Sequence, residues 1–227
     1  QTSSRALDFM QNRRTEICYN DFIGGYNVVQ INSENGSFGD TSFMYNNFIH
    51  SLPDMDNVNI TTLSGCKNMK VYNNTMYSKD LTPEMFGESY IFTLGNSNNC
   101  DVKNNIFIAI GEPYTFKYYR GSQNQIDYNI HYTTKGNMAN DNNTYYSTLE
   151  DWQVANAAIN QNSIEKNPKT VSGSNLHLDH TIKAFTGARN LGVADDYDHD
   201  SRCMIAPTVG ADESQYQIMP PSAGFYN

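Results

Sequence analysis

The sequence predicts an all-β protein built as a parallel β-solenoid, and three features of the chain support this prediction. A short phrase centred on Asn recurs with its third residue at positions 20, 46, 73, 104 and 128, which gives intervals of 26, 27, 31 and 24 residues. A strand-like run lies between successive copies. Only 17% of the residues are charged while 12% are aromatic, which is unlike a disordered chain. Repeats on this scale are typical of proteins whose units stack on one another.

The repeated phrase predicts a short strand followed by a corner in each turn. Asn fills most of its polar positions, and Asn tolerates the left-handed backbone region and bonds neighbouring amides. If the copies stack in register, the side-chain amides of Asn20, Asn46, Asn73 and Asn104 form an interior ladder that ends at Tyr128. The same register predicts one buried column, which consists of Cys18, Met44, Val71, Val102 and Ile126.

A second strand is predicted in each turn. Residues 59–65, 90–95 and 114–121 are rich in β-branched and aromatic residues, and each run ends at a Gly. Residues 27–31 are a looser copy. Two or three strands in each turn of roughly 25 residues are typical of a parallel β-solenoid, so residues 16–134 predict about five turns. Insertions, which in solenoids often gather on the binding face, are predicted at 33–40, 51–57 and 78–89.

The chain divides into three predicted segments. Residues 1–134 hold the solenoid turns, and we find no sequence typical of an N-terminal cap, although the open first turn of a solenoid needs a cover. Residues 135–213 hold the last turns and an irregular C-terminal cap. Residues 214–227, with a Pro pair, are predicted to be a tail or linker.

A short helix is predicted at 148–158 within the capping segment. Ser147 and Thr148 are each followed three residues later by an acid, which is the spacing of a capping box. Leu149 and Trp152 then fall on one face of the helix. We therefore expect the single Trp of the chain to anchor the helix to the core.

Composition and charge restrict the possible partners. The net charge of −9 and the pI near 4.9 exclude nucleic acid, because phosphate binding needs a clustered basic face. No apolar run approaches the length of a membrane span. The richness in Asn, Ser, Thr, Gly and Tyr is usual for extracellular solenoids, so we predict a secreted or cell-surface protein. The four Cys lack metal-ligand spacing and predict buried thiols, with one disulfide as the alternative.

Motifs in the second half of the chain carry a likeness to a known family. The most specific is the run Asp196-Tyr197-Asp198-His199-Asp200-Ser201-Arg202, followed by Gly-Ala-Asp-Glu at 210–213; the others lie at 149–153, 162–164, 167–168 and 176–178. Together with the Asn phrases they resemble the right-handed parallel β-helix repeat proteins of Bacteroidetes-type bacteria, within the pectate-lyase-like superfamily. His199 departs from the pattern, which usually has Gly there. The resemblance implies a right-handed parallel β-helix, of which this chain is the C-terminal portion.

The resemblance also implies a class of function, since the family includes polysaccharide lyases and hydrolases as well as members of unassigned role. We therefore expect a protein that acts on or binds polysaccharide, as a lyase, a glycoside hydrolase or a binding protein. The alternative is a structural or adhesive cell-surface protein without catalysis. Further domains of a longer protein are expected as its other partners.

One candidate binding surface follows from the register of the repeats. Tyr19, Tyr45 and Tyr72 are predicted to share one outward column with Lys103 and Asp127. Flat aromatic faces can stack on sugar rings, and Lys103 can hold a hydroxyl or a carboxylate. The alternative is a Tyr ladder that only stabilises neighbouring strands.

Candidate catalytic residues lie one strand earlier. β-Elimination of a polysaccharide needs a base for the proton next to a carboxylate and a cation that neutralises this carboxylate. Arg120 or Lys117 is the candidate base, Asp127 lies in the same turn, and Lys103 or a bound Ca²⁺ is the candidate neutraliser. No residues are assigned as metal ligands. Asp196, Asp198 and Asp200 begin like a calcium loop but lack its Gly and closing Glu, so we expect a turn in which Arg202 pairs with Asp198 or Glu213.

Overall fold

The computed structural model describes residues 5–10, 14–25, 27–33, 40–51, 59–80, 88–179, 185–189 and 191–214. Within these ranges the chain forms short strands and one helix. In chain order they are β1 (Leu7–Met10), β2 (Glu16–Cys18), β3 (Asp21–Gly24), β4 (Val29–Asn32), β5 (Ser42–Tyr45), β6 (Phe48–Ser51), β7 (Thr61–Ser64), β8 (Met69–Tyr72), β9 (Thr75–Asp80), β10 (Tyr90–Gly95), β11 (Asp101–Lys103), β12 (Ile106–Gly111), β13 (Tyr114–Tyr119), β14 (Gln125–Asp127), β15 (Ile130–Thr133), β16 (Ala139–Asp141), β17 (Thr144–Tyr146), α1 (Leu149–Ala155) and β18 (Ile164–Glu165).

The strands form three parallel sheets that the chain visits in rotation, which confirms the predicted parallel β-solenoid. Sheet A has the order β1-β4-β7-β10-β13-β16-β17, sheet B β14-β11-β8-β5-β2, and sheet C β18-β15-β12-β9-β6-β3. Each strand therefore pairs with the equivalent strand of the turns before and after it, and β17 alone among them pairs antiparallel, with β16. The chain makes about four complete turns from β2 to β14, slightly fewer than the five predicted.

The core is the space enclosed by the three sheets. Successive side chains of a strand point to opposite faces, so alternate positions stack into interior columns. On sheet A, Phe92 pairs with Phe116, and their rings lie 5.1 Å apart at the centroids. Each fully buried side chain of this size contributes roughly 1.5–3 kcal/mol. The interior column of sheet B consists of Ile17, Met44, Val71, Val102 and Ile126, all of them buried.

The predicted place of Cys18 in that column is wrong. β2 pairs with β5 so that Ile17 lies beside Met44 and Cys18 lies beside Tyr45. Cys18 is partly exposed as a result. All four Cys are free thiols, in agreement with the prediction of thiols over a disulfide, although only Cys66 and Cys100 are buried. Burial raises the pKa of the Cys66 thiol to about 12.

The corners of each turn depend on residues with positive φ. Such residues form columns of their own, because every turn bends at the same point. Asn is the usual choice, since its side chain tolerates this backbone region better than most. Two of these columns lie between sheets A and B: the first contains Gly65, Asn96 and Arg120, and the second contains Asn68, Asn99 and Gln123. The third column lies between sheets B and C, and we call this position the third corner. It contains Tyr19, Asn46, Asn73, Asn104 and Tyr128.

An interior amide ladder exists, but the predicted members Asn46, Asn73 and Asn104 are wrong by one residue. These three occupy the positive-φ corner, and the ladder is built by the residue that follows each of them. The side-chain Nδ2 of each rung donates to the Oδ1 of the next at 2.9–3.1 Å. The rungs are Asn20, Asn47, Asn74, Asn105 and Asn129.

Tyr128 therefore does not end the ladder. It occupies the corner, as Tyr19 does in the first turn. Asn129 is the last Asn rung of the ladder, and its main-chain N donates to Ser163 Oγ at 3.0 Å. The phrases Tyr19-Asn20 and Tyr128-Asn129 each contain a single Asn at this corner. Aligning the other copies on that Asn would have identified the second residue of each Asn pair as the interior one.

Helix α1 begins where the sequence predicts and ends earlier. Thr148 is its N-cap, and the Thr148 hydroxyl accepts from the main-chain N of Asp151 at 3.1 Å. Trp152 is fully buried and its indole N–H donates to Asp141 Oδ2 at 3.0 Å. The helix closes this end of the core. Among the described residues, no helix has the length and apolar character needed to cross a bilayer.

Most of the predicted insertions at 33–40, 51–57 and 78–89, and the predicted tail except Ser214, lie outside the described residues. The connections 52–58 and 81–87 each join a strand of sheet C to the next strand of sheet A.

His131 interrupts an apolar interior column of sheet C. Its strand neighbour is Phe107, and the rings of Phe107 and Trp152 lie 5.2 and 5.9 Å from the imidazole at the centroids. The Thr115 hydroxyl donates to the main-chain O of Met138 and lies within hydrogen-bond distance, 3.1 Å, of His131 Nδ1. Full burial lowers the pKa of His131 to about 3.

Acid is therefore expected to destabilise the fold through His131. The unfolded chain protonates this residue below its ordinary pKa near 6.5, whereas the folded chain does not do so until about pH 3. The stabilising difference is complete above pH 6.5 and is lost as the pH falls, by about 1.4 kcal/mol per pH unit. Met76 occupies the same column, so we choose His131→Met as the variant. Between pH 7 and pH 5 we expect its free energy of unfolding to fall by about 2 kcal/mol less than that of the parent. Urea unfolding of both proteins at several pH values measures this, and parallel pH dependences would contradict it.

Candidate functional site

One candidate site is a polar groove on the outer face of sheet A. Outward side chains of five neighbouring strands form one column along its floor, and the groove has a volume of about 510 Å³. Four steps between strands about 4.8 Å apart make the column about 19 Å long. The column consists of Gln30, Thr62, Thr93, Lys117 and Asn140.

Lys117 supplies a positive charge on the floor of the groove. Its Nζ lies 4.5 Å from the centroid of the Tyr90 ring and 5.9 Å from that of Tyr119. Contacts of this kind between an ammonium group and aromatic faces are attractive and hold the Lys side chain over the sheet. The Tyr90 hydroxyl bonds the Glu88 carboxylate and accepts from Asn140 Nδ2 at 2.9 Å. Lys117 and Glu88 thus place both signs of charge in one groove.

Tyr119 lies flat against the sheet because its strand neighbour is Gly95. A Cβ atom added at Gly95 would overlap Cζ of the Tyr119 ring, so the ring occupies the space that a side chain would otherwise fill. Its other face is turned away from the backbone of β10. The ring is therefore a flat aromatic surface at the edge of the groove.

Arg120 follows Tyr119 and occupies an unfavourable backbone position. Its φ is 51°, and the equivalent corner of the two preceding turns is filled by Gly65 and Asn96. Left-handed backbone costs an ordinary side chain roughly 1–2 kcal/mol. The side chain is exposed and lines the groove. The bend of the turn requires positive φ at this corner, so the unusual feature is the choice of Arg rather than Gly or Asn.

The predicted pair Lys117 and Arg120 therefore lies together, but the third predicted catalytic residue does not join it. Asp127 is on sheet B, and its carboxylate accepts from the main-chain N and the side-chain Nδ2 of Asn162 at 2.6 and 2.7 Å. Asp127 fixes the chain after α1. It is therefore not among the residues that line the groove with Lys117 and Arg120.

The predicted outward column of sheet B is only partly correct. Its members are Cys18, Tyr45, Tyr72, Lys103 and Asp127. Tyr72 is buried, and its hydroxyl donates to Asp101 at 2.5 Å. Burial, followed by that contact with Asp101, raises the pKa of Tyr72. Because its ring is covered, Tyr72 offers no face to a sugar, and the prediction that it binds substrate by stacking is wrong.

Lys103 and Tyr19 are also engaged. Lys103 Nζ lies 2.9 Å from Asp101 Oδ1 and donates to Gln125 at 2.8 Å, so it is not the neutraliser of a carboxylate in the groove of sheet A. Tyr19 is not in the column at all: it occupies the third corner, where its hydroxyl donates to Asp195 at 2.5 Å. Tyr45 meets the ring of Tyr19 edge-on, with centroids 5.6 Å apart. These contacts favour the structural alternative, a set of aromatic side chains that holds strands together.

We use the name C-terminal segment for the described residues 185–189 and 191–214. Three of its carboxylates lie close enough to hold a cation. Oxygens of Asp196, Asp198 and Asp212 are all within 4.8 Å of one another. Asp196 already accepts three main-chain N–H groups, from Asp198, Asp200 and Glu213. These bonds organise the turn as a structural unit. Arg202 pairs with Glu213 at 3.1 Å, which is one of the two predicted pairings.

The sequence-based prediction missed most of the groove. Glu88, Tyr90, Thr93 and Asn140 belong to it but stand outside the Asn phrase that dominates the sequence. The signal for the column is the outward position of the second strand in each turn, which comes three residues after the first aromatic or Asn residue of the run. Lys117 and Arg120 were recognised because they are the charged residues of such a run.

The sequence was compared with protein-family models, with curated proteins and with solved structures, and none of them matches it. The likeness to pectate-lyase-like proteins consequently depends on the motifs quoted above and on the parallel solenoid. The structure itself shows that the chain is an all-β parallel β-solenoid.

Proposed function

We propose that this protein binds an acidic polysaccharide in the groove of sheet A, as a secreted or cell-surface protein related to the pectate-lyase-like β-helices. The observation that carries the proposal is the position of Lys117 and Arg120 at one polar groove that crosses five strands. Cations at this site are notable because the whole chain has a net charge of −9. An acidic ligand would be repelled by most of the surface and attracted at this groove.

The lining groups have the chemistry that a uronate chain needs. Lys117 and Arg120 can pair with carboxylates, and the guanidinium does so in a two-point geometry. The side-chain amides of Asn59 and Asn143, neither of them buried, can bond hydroxyl groups, and Tyr119 offers a flat face for a sugar ring. A length of about 19 Å accommodates several rings in sequence.

β-Elimination is the second candidate, because a Lys and an Arg at one site could act as base and neutraliser for the same uronate. A glycoside hydrolase ordinarily needs two carboxyl groups across the scissile bond. Among the described residues that line the groove, Glu88 alone carries one. Binding, with or without elimination, is therefore better supported than hydrolysis.

A polysaccharide panel tests the proposal. Polygalacturonate, alginate, dextran and a neutral galactan are titrated into the protein by calorimetry, with and without Ca²⁺, while absorbance follows unsaturated products. We expect the two uronates to bind with an affinity that falls as salt rises, and the neutral chains to bind far more weakly. Product formation would add the lyase activity. If none of the four binds, the alternative of a structural or adhesive surface protein replaces this proposal.

Replacing Arg120 by Asn separates binding from folding. The variant removes the cation and places at the corner the residue that Asn96 supplies in the turn before. We expect uronate affinity to fall about tenfold or more, because a charge-assisted pair is lost. The free energy of unfolding should stay constant or rise by up to about 1 kcal/mol, because Asn tolerates positive φ.

The matched control is Arg189→Asn, which removes an exposed Arg outside the groove and should change uronate affinity less than twofold or so. Equal losses in the two variants would mean that the ligand responds only to net charge. An Arg120→Asn protein that binds normally but is less stable would assign Arg120 a structural role.

A further inference from the structure

A second cavity lies on the other side of the molecule, between the third corner and the C-terminal segment. Its volume is about 430 Å³. Leu191, Val193, Met204 and Pro207 make much of its wall apolar, and Asn73 and Asn104 form its base. It shares no residue with the groove of sheet A.

The corner residues above and below Asn73 show what this surface binds. Asn104 pairs with the main chain of Ala188 at two points: its Nδ2 donates to the Ala188 O at 3.0 Å, and its Oδ1 accepts from the Ala188 N at 2.6 Å. Asn46 donates from Nδ2 to the Asp195 O at 2.8 Å and accepts from Arg202 Nη2 at 2.9 Å. Both corner amides are thus saturated by the C-terminal segment.

Asn73 stands between them with the same backbone conformation but without such a partner. Its φ of 52° equals that of Asn46, and the residue is 2% exposed. Its Oδ1 is buried and has no hydrogen-bond partner within the part of the chain that the structure describes. A buried polar atom without a partner is uncommon in folded proteins and calls for an explanation, and one explanation is a bound group.

The chemistry of the remaining wall restricts that group. Arg202 lines the cavity, but its guanidinium already donates to Asp195 O, Thr208 O, Glu213 and Asn46, as well as to the main chain at Gly210 and Ala211. The guanidinium of Arg202 is therefore fully engaged and does not serve as a binding group for an anion. Among the described residues that line the cavity, the buried side-chain atom without a partner is the acceptor Asn73 Oδ1, so a ligand that satisfies it must present a donor, with apolar surface beside it.

We propose that this cavity binds a small secondary amide of the acetamido type. The amide N–H donates to Asn73 Oδ1, as the Ala188 N–H does to Asn104, and the methyl group packs against Leu191 and Val193. An acetamido group occurs on N-acetylated sugars and on N-acetylated amino acids, and both have the required chemistry. The inference does not depend on the groove of sheet A.

Titrations followed by NMR test this inference. N-acetylglucosamine and N-acetylalanine methylamide are added separately to isotope-labelled protein at concentrations up to the tens of millimolar, with glucose as the matched sugar without the amide. We expect shifts of the Asn73 side-chain amide and of the Leu191 and Val193 methyl groups with one or both amides, and none with glucose. Binding of one amide alone identifies which source the cavity accepts.

Variants confirm the location. Asn73→Gly keeps the positive φ and removes the acceptor, and we expect affinity for the bound amide to fall about tenfold. Asn96→Gly makes the same change at an exposed corner away from the cavity and should alter affinity by less than about twofold. Ala194→Leu, which narrows the cavity, should also abolish the shifts. Absence of binding by both amides, equal binding of glucose, or full affinity in Asn73→Gly would overturn the proposal.

Discussion

Replacing Asn74 by Gly is expected to lower the free energy of unfolding by about 3–5 kcal/mol, whereas the same change at Asn73 should cost at most about 1 kcal/mol. Asn74 Nδ2 donates to Met44 O, Tyr72 O and Asn105 Oδ1 at 2.9–3.0 Å. Its Oδ1 accepts from the main-chain N and Nδ2 of Asn47. All of these partners lose water on folding, and each one left unpaired costs roughly 1–3 kcal/mol.

The adjacent pair is its own control, because both variants remove one amide from neighbouring residues of the same corner. Asn73 forms no interior rung, and its positive φ suits Gly. Urea unfolding followed by circular dichroism measures both losses. Equal losses would mean that the interior ladder does not depend on the second Asn of each pair, contrary to the contacts described here. A loss confined to Asn73→Gly would restore the register that the sequence first predicted.

The sequence predicts the architecture well because the signals for stacking are repeated five times. One copy of the Asn phrase is ambiguous, but five copies at similar intervals leave few alternatives to a solenoid. The register within the phrase is less determined. Asn is suited both to a left-handed corner and to an interior amide ladder, so the sequence Asn73-Asn74 satisfies either assignment. The stacking of Ile17 on Met44, which decides between them, is a contact between turns.

The candidate site was predicted less completely, for a related reason. Lys117 and Arg120 were recognised by their charge, but the outward column of sheet A can be read only after the register of its strands is known. Tyr72 and Lys103 were assigned to a sugar surface because alternation places them outward. The sequence does not reveal that Asp101, which lies two residues before Lys103 on β11 and on the strand next to Tyr72, engages both of them. Alternation predicts the direction of a side chain, whereas its availability depends on which neighbours engage it.

Replacing Arg202 by Met is expected to lower the free energy of unfolding by about 3–5 kcal/mol and to release the C-terminal segment from the third corner. Arg202 is buried and bonds Asn46 of the solenoid at 2.9 Å as well as Glu213 at 3.1 Å. Burial lowers the pKa of Arg202 and raises the pKa of Glu213, so each charge depends on the other. Without Arg202, the Glu213 carboxylate is left buried without its counter-charge.

Two further variants determine whether the loss comes from that stranded charge or from the missing contact with Asn46. Arg202→Met combined with Glu213→Leu removes both charges and should recover part of the lost free energy, because apolar pairs often replace buried ion pairs at little cost. Arg189→Met, at an exposed position, should change stability by less than about 0.5 kcal/mol. Urea unfolding measures stability, and hydrogen exchange at residues 191–214 reports release of the segment. If Arg202→Met keeps both parental stability and slow exchange there, the segment is held by its apolar contacts and turn hydrogen bonds, and the guanidinium is not what fastens it to the solenoid.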